Sequence, residues 1–210
     1  MARFINKVAI ITGSSNGIGQ ATALLFASEG AKVTVTGRNT ERLEQTKKLL
    51  LDANIPESRM NVVVGDITQQ EIQNTLIQST LDKFGKIDVL VNNAGAGIPD
   101  SQGKTGVNQS IDTYHKTFEL NMRSVIEMTQ KVRPHLAKTQ GEIVNISSIG
   151  AGPSAASEEN YLKSGEEISH NLTGSYLRKL WESESTDTLH LSLVASLDGV
   201  ALNGNTSQKI

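Results

Sequence analysis

A tyrosine in the stretch N-Y-L-K-S-G-E-E, residues 160–167, raises the first chemical question in this sequence. A phenol has a free pKa of about 10, and a base that works near neutral pH needs that value lowered by about 3 units. Such a shift corresponds to roughly 4 kcal/mol of differential stabilisation. Tyr161 is therefore either an acid–base residue with a partner that lowers its pKa, or only an aromatic residue on a helix.

A glycine-rich turn is the second feature with chemical meaning. T-G-S-S-N-G-I-G spans residues 12–19, directly after an apolar run, and opens an amphipathic stretch. In such a turn the glycines allow a tight bend, a close approach to a pyrophosphate and close helix–strand packing, while the phosphates lie among free N–H groups. Gly13, Gly17 and Gly19 therefore predict a dinucleotide site. The alternative is that these glycines serve packing alone.

Five short apolar runs alternate with longer amphipathic stretches. The runs are rich in β-branched residues and nearly continuous in apolarity, which predicts strands buried on both faces, at 8–11, 32–36, 61–64, 87–91 and 142–146. Helices are predicted between them, at about 17–29, 40–52, 68–84 and 111–138. This order predicts an α/β fold, a doubly wound parallel sheet of the Rossmann type in three αβα layers.

Two local signals accompany these predicted elements. Thr68 and Glu71 have the spacing of a capping box at the start of the third helix. The long polar segment 95–110 is either a functional loop near the carboxyl edge of the sheet or a disordered connection.

The end of the second predicted strand indicates which nucleotide would bind. It reads Thr36-Gly37-Arg38, without an aspartate or glutamate. An acidic side chain here would bind a ribose 2′-hydroxyl and favour NAD, whereas an arginine accommodates a 2′-phosphate. We therefore predict NADP as the cofactor, with NAD less favoured; a solvated surface arginine is the alternative interpretation of Arg38.

The combined motifs resemble those of the short-chain dehydrogenase/reductase family of the classical type. They follow in that family's order and separations over residues 5–150: T-G-S-S-N-G-I-G (12–19), G-D-I-T (65–68), N-N-A-G (92–95), E-L-N-M-R-S around Asn121, and N-I-S-S (145–148). The resemblance implies an NADP(H)-dependent oxidoreductase that interconverts a carbonyl and an alcohol of a small-molecule substrate by hydride transfer.

The resemblance also implies a cofactor site. Its residues would come from the turn and from the ends of the following strands: Thr12, Gly13, Ser14, Ser15, Asn16, Gly17, Ile18, Gly19, Arg38, Asp66, Ile67, Asn92, Asn93, Ala94 and Gly95. Asp66 and Ile67 would border the adenine, and N-N-A-G would stabilise the sheet and line the cleft. As alternatives, Asp66 could be an ordinary helix cap and Asn92 a purely structural residue.

Three catalytic residues are implied in the same way. Asn121 would hold a water in a proton relay, and Ser148 would hydrogen-bond the reacting substrate oxygen. Tyr161 stands thirteen residues after Ser148, at the family's tyrosine position. As alternatives, Asn121 could be an incidental polar residue in a helix and Ser148 a turn residue.

The family pattern fails at the next residue. The lysine that follows the family's tyrosine by four positions is replaced by Gly165. Lys163 cannot easily substitute, because on a helix the side chain at i+2 is turned by about 200° from that at i. In the family, this lysine helps lower the tyrosine pKa and grips the nicotinamide ribose. The resemblance therefore implies turnover lowered by several orders of magnitude, with NADP still bound through its adenosine half.

The tail, residues 151–210, diverges from the family. It predicts a helix at 157–183 and a sixth strand at 188–195, and Ile210 comes before the family's seventh strand. We predict one domain over 1–210 that lacks the last strand; a truncated or aberrantly translated member and a natural shortened isoform both remain open. The family's dimer interface would make a homo-oligomer through helices 111–138 and 157–183.

The composition argues against several other classes of protein, including metal-binding, nucleic-acid-binding and membrane proteins. The net charge is −2, there is no cysteine, and the four histidines lack ligand spacing. These features predict a cytoplasmic protein with no metal site and no nucleic-acid or membrane partner. Two further hypotheses stay open beside the oxidoreductase: a non-catalytic Rossmann protein that binds NADP or partners, and a poorly folding fragment without function.

Overall fold

A single parallel sheet organises the chain. The computed structural model describes residues 2–104, 108–148 and 191–196, the last range by its backbone alone. In these ranges six strands pair in the order β3-β2-β1-β4-β5-β6. They are β1 Val8–Ile11, β2 Lys32–Gly37, β3 Met60–Val64, β4 Val89–Asn92, β5 Glu142–Ser148 and β6 Leu191–Ser196. The doubly wound parallel sheet predicted from the apolar runs is confirmed.

Helices follow the strands as expected for right-handed βα units. They are α1 Gly17–Ser28, α2 Thr40–Asp52, α3 Gln70–Phe84, α4 Ile111–Phe118 and α5 Ser124–Thr139. A short 3₁₀ turn covers Glu57–Arg59. A π-helical turn, Glu119–Arg123, joins α4 to α5, so the helix predicted at 111–138 is three consecutive segments.

The two faces of the sheet bury two separate apolar clusters. Ala9 and Ile11 of β1 pack with α1 and α2 residues, whereas Ile10 packs on the opposite face with Met128 and Leu136 of α5. Neighbouring residues of a strand point to opposite faces. A strand covered on both faces therefore tends to be apolar at successive positions, which is why β1 shows no polar–apolar alternation.

The predicted capping box at the start of α3 is wrong. The helix begins at Gln70, and its N-cap residue Gln69 makes no side-chain cap hydrogen bond. Thr68 instead donates its backbone N–H and its hydroxyl to Asp66 Oδ1, at 3.0 and 2.8 Å. The aspartate forms a local side-chain-to-backbone turn, and this turn takes the residue that the capping box required.

The described parts of loop 95–110 are anchored by a buried carboxylate. Asp100 accepts hydrogen bonds from the backbone N–H groups of Ser110, at 2.7 Å, and Gln102, at 2.9 Å. The hydroxyl of Thr113 donates to the same carboxylate. The hydrogen bonds from Ser110 and Gln102 outweigh the opposing effect of burial and hold the pKa of Asp100 well below its usual range. The loop is thus tied to the start of α4 at these positions.

The divergent tail is described only at β6. This strand pairs in parallel with β5, from Ile143 opposite Leu191 to Ser148 opposite Ser196. The sixth strand predicted at 188–195 therefore exists with shifted bounds. Tyr161, Gly165 and the helix predicted at 157–183 lie outside the described residues.

Candidate functional site

The carboxyl ends of β1 and β4 lie side by side, at the point where the strand order reverses. The chain builds β1, β2 and β3 outward on one side and then crosses to β4 on the other. Loops that diverge from two such neighbours leave a crevice, which is where open α/β sheets bind ligands. The glycine-rich turn follows β1 and the N-N-A-G segment follows β4, so both border this crevice.

The glycines of the turn meet two different physical requirements. Gly13 and Gly17 have φ angles of +64° and +54°, which L side chains rarely adopt. A Cβ on Gly13 would also lie 2.7 Å from Ala94 Cα. A Cβ on Gly19 would collide with the carbonyl oxygen of Gly13 and with Asn93 Nδ2, so α1 begins pressed against the turn. Around Gly17 there is open space.

No side chain of α1's own first turn supplies a negative charge or a cap to its N-terminus. Asn16 is the N-cap residue, but its side chain makes no cap hydrogen bond, and the first turn contains no acidic residue. Helix N-termini carry unsatisfied N–H groups and a partial positive charge. The start of α1, at the end of the glycine-rich turn, is therefore suited to bind a phosphate.

Ser14 fixes the floor of the turn from inside. Its hydroxyl donates to the carbonyl oxygen of Ile11 at 2.8 Å and accepts the N–H of Thr36 at 2.9 Å. Its own carbonyl accepts the hydroxyl of Thr46, a buried residue of α2. Gln20 of α1 donates to that same hydroxyl oxygen at 2.8 Å. The Ser14 side chain thus points inward, and it shapes the turn rather than facing the crevice.

Thr12 and Asn93 tie the turn to the N-N-A-G segment. The Thr12 hydroxyl oxygen accepts the backbone N–H groups of Asn93 and Ala94, both at 3.0 Å. In return, Asn93 Nδ2 donates to the carbonyl oxygens of Thr12 and Gly13, at 2.9 and 3.0 Å. These reciprocal bonds hold both walls of the crevice in one arrangement.

Asn92 ties the sheet together beneath the crevice. Its buried amide donates to Asn145 Oδ1 on β5 at 2.9 Å and to Thr129 Oγ1 on α5 at 3.3 Å. This geometry supports the structural role weighed for Asn92. Asn145 lies inside the N-I-S-S motif, but nothing in the local sequence pattern indicates that it or Thr129 would bond to Asn92.

Arg38 and Asp66 face each other just beyond the ends of β2 and β3. Arg38 Nη1 lies 3.7 Å from Asp66 Oδ2, and the arginine side chain is 70% exposed. Because the other Asp66 oxygen is held by Thr68, Oδ2 is the one turned toward Arg38. Ile67, the next predicted adenine residue, is buried. Asp66 is not the N-cap of α3, so its interpretation as an ordinary helix cap is wrong.

Asn121 lies in the π-helical turn and hydrogen-bonds to the segment just after N-N-A-G. Its Oδ1 accepts the N–H of Ala96 at 3.0 Å, and its Nδ2 donates to the carbonyl of Ala96 at 2.9 Å. A Cβ on Gly95 would lie 3.1 Å from the same Oδ1. Single π turns occur often at functional sites. Asn121 is therefore bound to the cleft segment, and is not an incidental polar residue.

Comparison with known proteins decides the family. A family model described as short chain dehydrogenase matches residues 7–164. The chain belongs to the short-chain dehydrogenase/reductase (SDR) family. An SDR of unknown function from Caenorhabditis elegans, solved with cofactor, is 62% identical with a TM-score of 0.71, over 72% of this chain and 56% of that chain. The predicted family is confirmed.

Two further similar proteins are dehydrogenases by name. Glucose dehydrogenase of Caenorhabditis elegans in the apo form is 56% identical, with a TM-score of 0.65, over 72% of this chain and 58% of that chain. Meso-2,3-butanediol dehydrogenase of Serratia marcescens is 34% identical over 147 residues, 70% of this chain and 55% of the relative. The chain thus spans little more than half the length of these relatives. The family to which it belongs is one of dehydrogenases.

A second family model covers the tail. It is described as a protein of unknown function (DUF1258) and matches residues 156–210. The SDR match ends at residue 164, so the two matches overlap at 156–164. Tyr161 lies in the overlap, whereas Gly165 lies beyond the SDR match and inside the second one. The missing SDR lysine thus coincides with the change from one family pattern to the other.

Ser148, which was predicted as a catalytic residue from the family resemblance, lies within the described residues. It is the last residue of β5. Asn145 pairs with Asn92 at the end of β4, so Ser148 lies three residues farther toward the carboxyl edge. In the described ranges, no helix is long and apolar enough to cross a membrane, and no cluster of His, Asp or Glu could hold a metal ion.

Proposed function

We propose that this SDR chain binds NADP(H) in the crevice between β1 and β4. The observation that carries the proposal is the turn after β1. There Gly19 presses the start of α1 against Gly13, Gly17 opens the space above, and Asn16 leaves the helix N-terminus uncapped. A pyrophosphate fits such a cradle, because backbone N–H groups and the helix dipole favour its negative charge.

The remaining cofactor residues would take up the rest of the nucleotide. Asp66 and Ile67 would border the adenine, and the N-N-A-G segment would line the middle of the cleft. When bound, the nicotinamide ring would supply or accept a hydride. Hydrogen bonds between residues far apart in sequence hold the segments around the crevice in place: Asn93 bonds to Thr12, and Asn121 bonds to Ala96. We therefore expect binding to be retained even where turnover is not.

We propose a preference for NADP over NAD. Arg38 stands where an acidic residue would bind the ribose 2′-hydroxyl, and its largely exposed guanidinium can move from Asp66 to a 2′-phosphate. Dissociation constants for NADPH and NADH, measured by fluorescence titration, test this directly. NADPH should bind more tightly, and Arg38→Ala should remove most of the difference. Tighter binding of NADH by the unaltered chain would refute the preference.

We propose carbonyl–alcohol interconversion as the reaction, with much reduced turnover. Asn121, Ser148 and Tyr161 would be the catalytic residues, and two of the relatives are named as dehydrogenases of glucose and of meso-2,3-butanediol. With Gly165 in place of the lysine, a turnover number in the ordinary range of about 1–10³ per second would contradict the reasoning.

A Gly165→Lys variant tests the cause of the reduced turnover. If the lysine is the main defect, the variant should oxidise or reduce members of an alcohol and ketone panel faster than the unaltered chain, at similar NADPH affinity. If it binds NADPH and gains no activity, the defect lies instead in the tail matched by the second family model.

A non-catalytic NADP-binding protein is the second candidate. The observation that favours it is the second family match, which covers the lysine position and everything after it. Homo-oligomerisation through 111–138 and 157–183 is proposed with it, because Ile111, Tyr114 and Phe118 of α4 are 70%, 58% and 43% exposed. Absence of turnover in both the unaltered chain and Gly165→Lys, with NADPH bound, would select this candidate. Light scattering measures the oligomeric state.

A further inference from the structure

A buried glutamine links the adenine side of the crevice to the neighbouring helix layer. Gln73 of α3 is fully buried. Its Nε2 donates to the carbonyl oxygen of Ile67 at 2.9 Å and to Glu127 Oε2 of α5 at 2.9 Å. Both partners are acceptors, so a reversed amide would set an oxygen against a carbonyl and a carboxylate. The orientation of Gln73 is therefore determined by Ile67 and Glu127.

Glu127 makes a second set of contacts on its other oxygen. Its Oε1 accepts Arg123 Nε at 2.9 Å, and Gln70 Nε2 donates to it at 3.3 Å. Arg123 Nη1 in turn donates to Glu119 at 2.9 Å. Glu119 and Arg123 are the first and last residues of the π-helical turn that carries Asn121. One carboxylate thus touches α3 on one side and the Asn121 turn on the other.

The environment of Glu127 makes these contacts stronger than ordinary surface pairs. Its side chain is 16% exposed, whereas the pair Lys116–Asp112 on α4 is 62% and 70% exposed. Burial raises the pKa of Glu127, but hydrogen bonds from Gln73, Arg123 and Gln70 hold the pKa below its usual value. The carboxylate is therefore charged at neutral pH, and charge-assisted hydrogen bonds are roughly twice as strong as neutral ones.

We propose that Glu127 is a positioning residue of the cofactor cleft. It joins the Ile67 side of the crevice to the π-helical turn, and so holds Asn121 against Ala96. The importance of this link for binding rests on the proposed function, since that proposal makes Ile67 and Asn121 cleft residues. Without the carboxylate, the turn loses its connection to α3, and the two bonds between Asn121 and Ala96 become free to open.

Amide hydrogen exchange measured by NMR tests the proposal without any nucleotide. In Glu127→Ala, the Ala96 N–H should exchange about tenfold faster relative to the amides of β1 and β4. Glu127→Gln keeps an acceptor for Gln73 but loses the charge that pairs with Arg123. Its Ala96 exchange rate should therefore lie between those of the unaltered chain and Glu127→Ala. Asp112→Asn, which breaks another i,i+4 pair on α4, is the matched control and should leave Ala96 unchanged.

A merely structural role predicts a different pattern. It would accelerate the Ala96 and sheet amides together, and that result overturns the proposal, as does an unchanged Ala96 in Glu127→Ala. If Glu127→Ala does not fold, Glu127→Gln decides, and an Ala96 exchange rate equal to that of the unaltered chain overturns the proposal. In a second arm, NADPH affinity should fall about five- to tenfold in Glu127→Ala. Failure of the unaltered chain to bind NADPH would refute the proposed function alone, because the exchange result stands without nucleotide.

Discussion

Gly19→Ala should disable the nucleotide cradle while leaving the sheet in place. The added methyl group would collide with the carbonyl oxygen of Gly13 and with Asn93 Nδ2. Asn93 Nδ2 already holds the carbonyls of Thr12 and Gly13, so it cannot give way without losing those bonds. Overpacking of this kind costs about 1–3 kcal/mol of unfolding free energy, which a urea titration measures.

The same shift should weaken binding, because α1 must move away from the turn. Hydrogen bonds to a charged group contribute about 1.5–3 kcal/mol each, so the loss of one bond to a phosphate lowers NADPH affinity at least about tenfold. Fluorescence titration measures this change. The matched control is Gly97→Ala in the neighbouring segment, where a Cβ would meet nothing within 4 Å, so affinity and stability should stay unchanged.

Two outcomes would show that the reasoning is wrong. If Gly19→Ala binds NADPH as tightly as the unaltered chain and is equally stable, α1 does not press against the Gly13 carbonyl in solution. If stability falls while affinity stays the same, the glycine serves helix–strand packing alone, and the phosphates lie elsewhere.

Two other substitutions probe the scaffold of the site. Asn92→Leu leaves Asn145 Oδ1 buried without its hydrogen-bond donor. The free energy of unfolding, measured by urea titration, should therefore fall by about 1–3 kcal/mol. The control is Asn74→Leu on the exposed face of α3, which should leave the free energy of unfolding nearly unchanged. Asp100→Asn tests pH dependence: the folded-state pKa of Asp100 lies below its unfolded value, so its contribution is present above about pH 4 and is lost as the pH falls further toward the folded pKa. The unaltered chain should therefore lose more thermal stability than Asp100→Asn between about pH 5 and pH 2, and equal losses would contradict the role of this carboxylate.

The predicted elements were confirmed where the signal was local and repeated. Strands buried on both faces favour apolar residues at successive positions, and this preference is visible in β1 and in residues 89–91 of β4. At β6 the bounds shifted, from the predicted 188–195 to Leu191–Ser196. The capping box failed although its pattern was local, because Asp66 offered Thr68 a competing hydrogen-bond acceptor two residues away.

The hydrogen bonds of the predicted site residues could not be predicted from the sequence. Thr12 and Ser14 were predicted to bind the cofactor, whereas their side chains hold the turn in place. Asn92 makes the contacts of the structural alternative, because it joins β4 to β5. Thr46 and Gln73 were missed, because a single polar residue on an amphipathic helix carries no signal until its partner is known.

The alternation of strands and helices, the turn with Gly13, Gly17 and Gly19, and the family could all be predicted from the sequence. These follow from short-range rules: side-chain periodicity, the backbone freedom of glycine and motif spacing. The folded chain was needed to show that Asn121 hydrogen-bonds to Ala96, 25 residues away, and that Gln73 hydrogen-bonds to Glu127, 54 residues away. Such pairs depend on how the helices pack across the sheet, and hydrogen-bond geometry, unlike apolarity, leaves no periodic trace in a sequence.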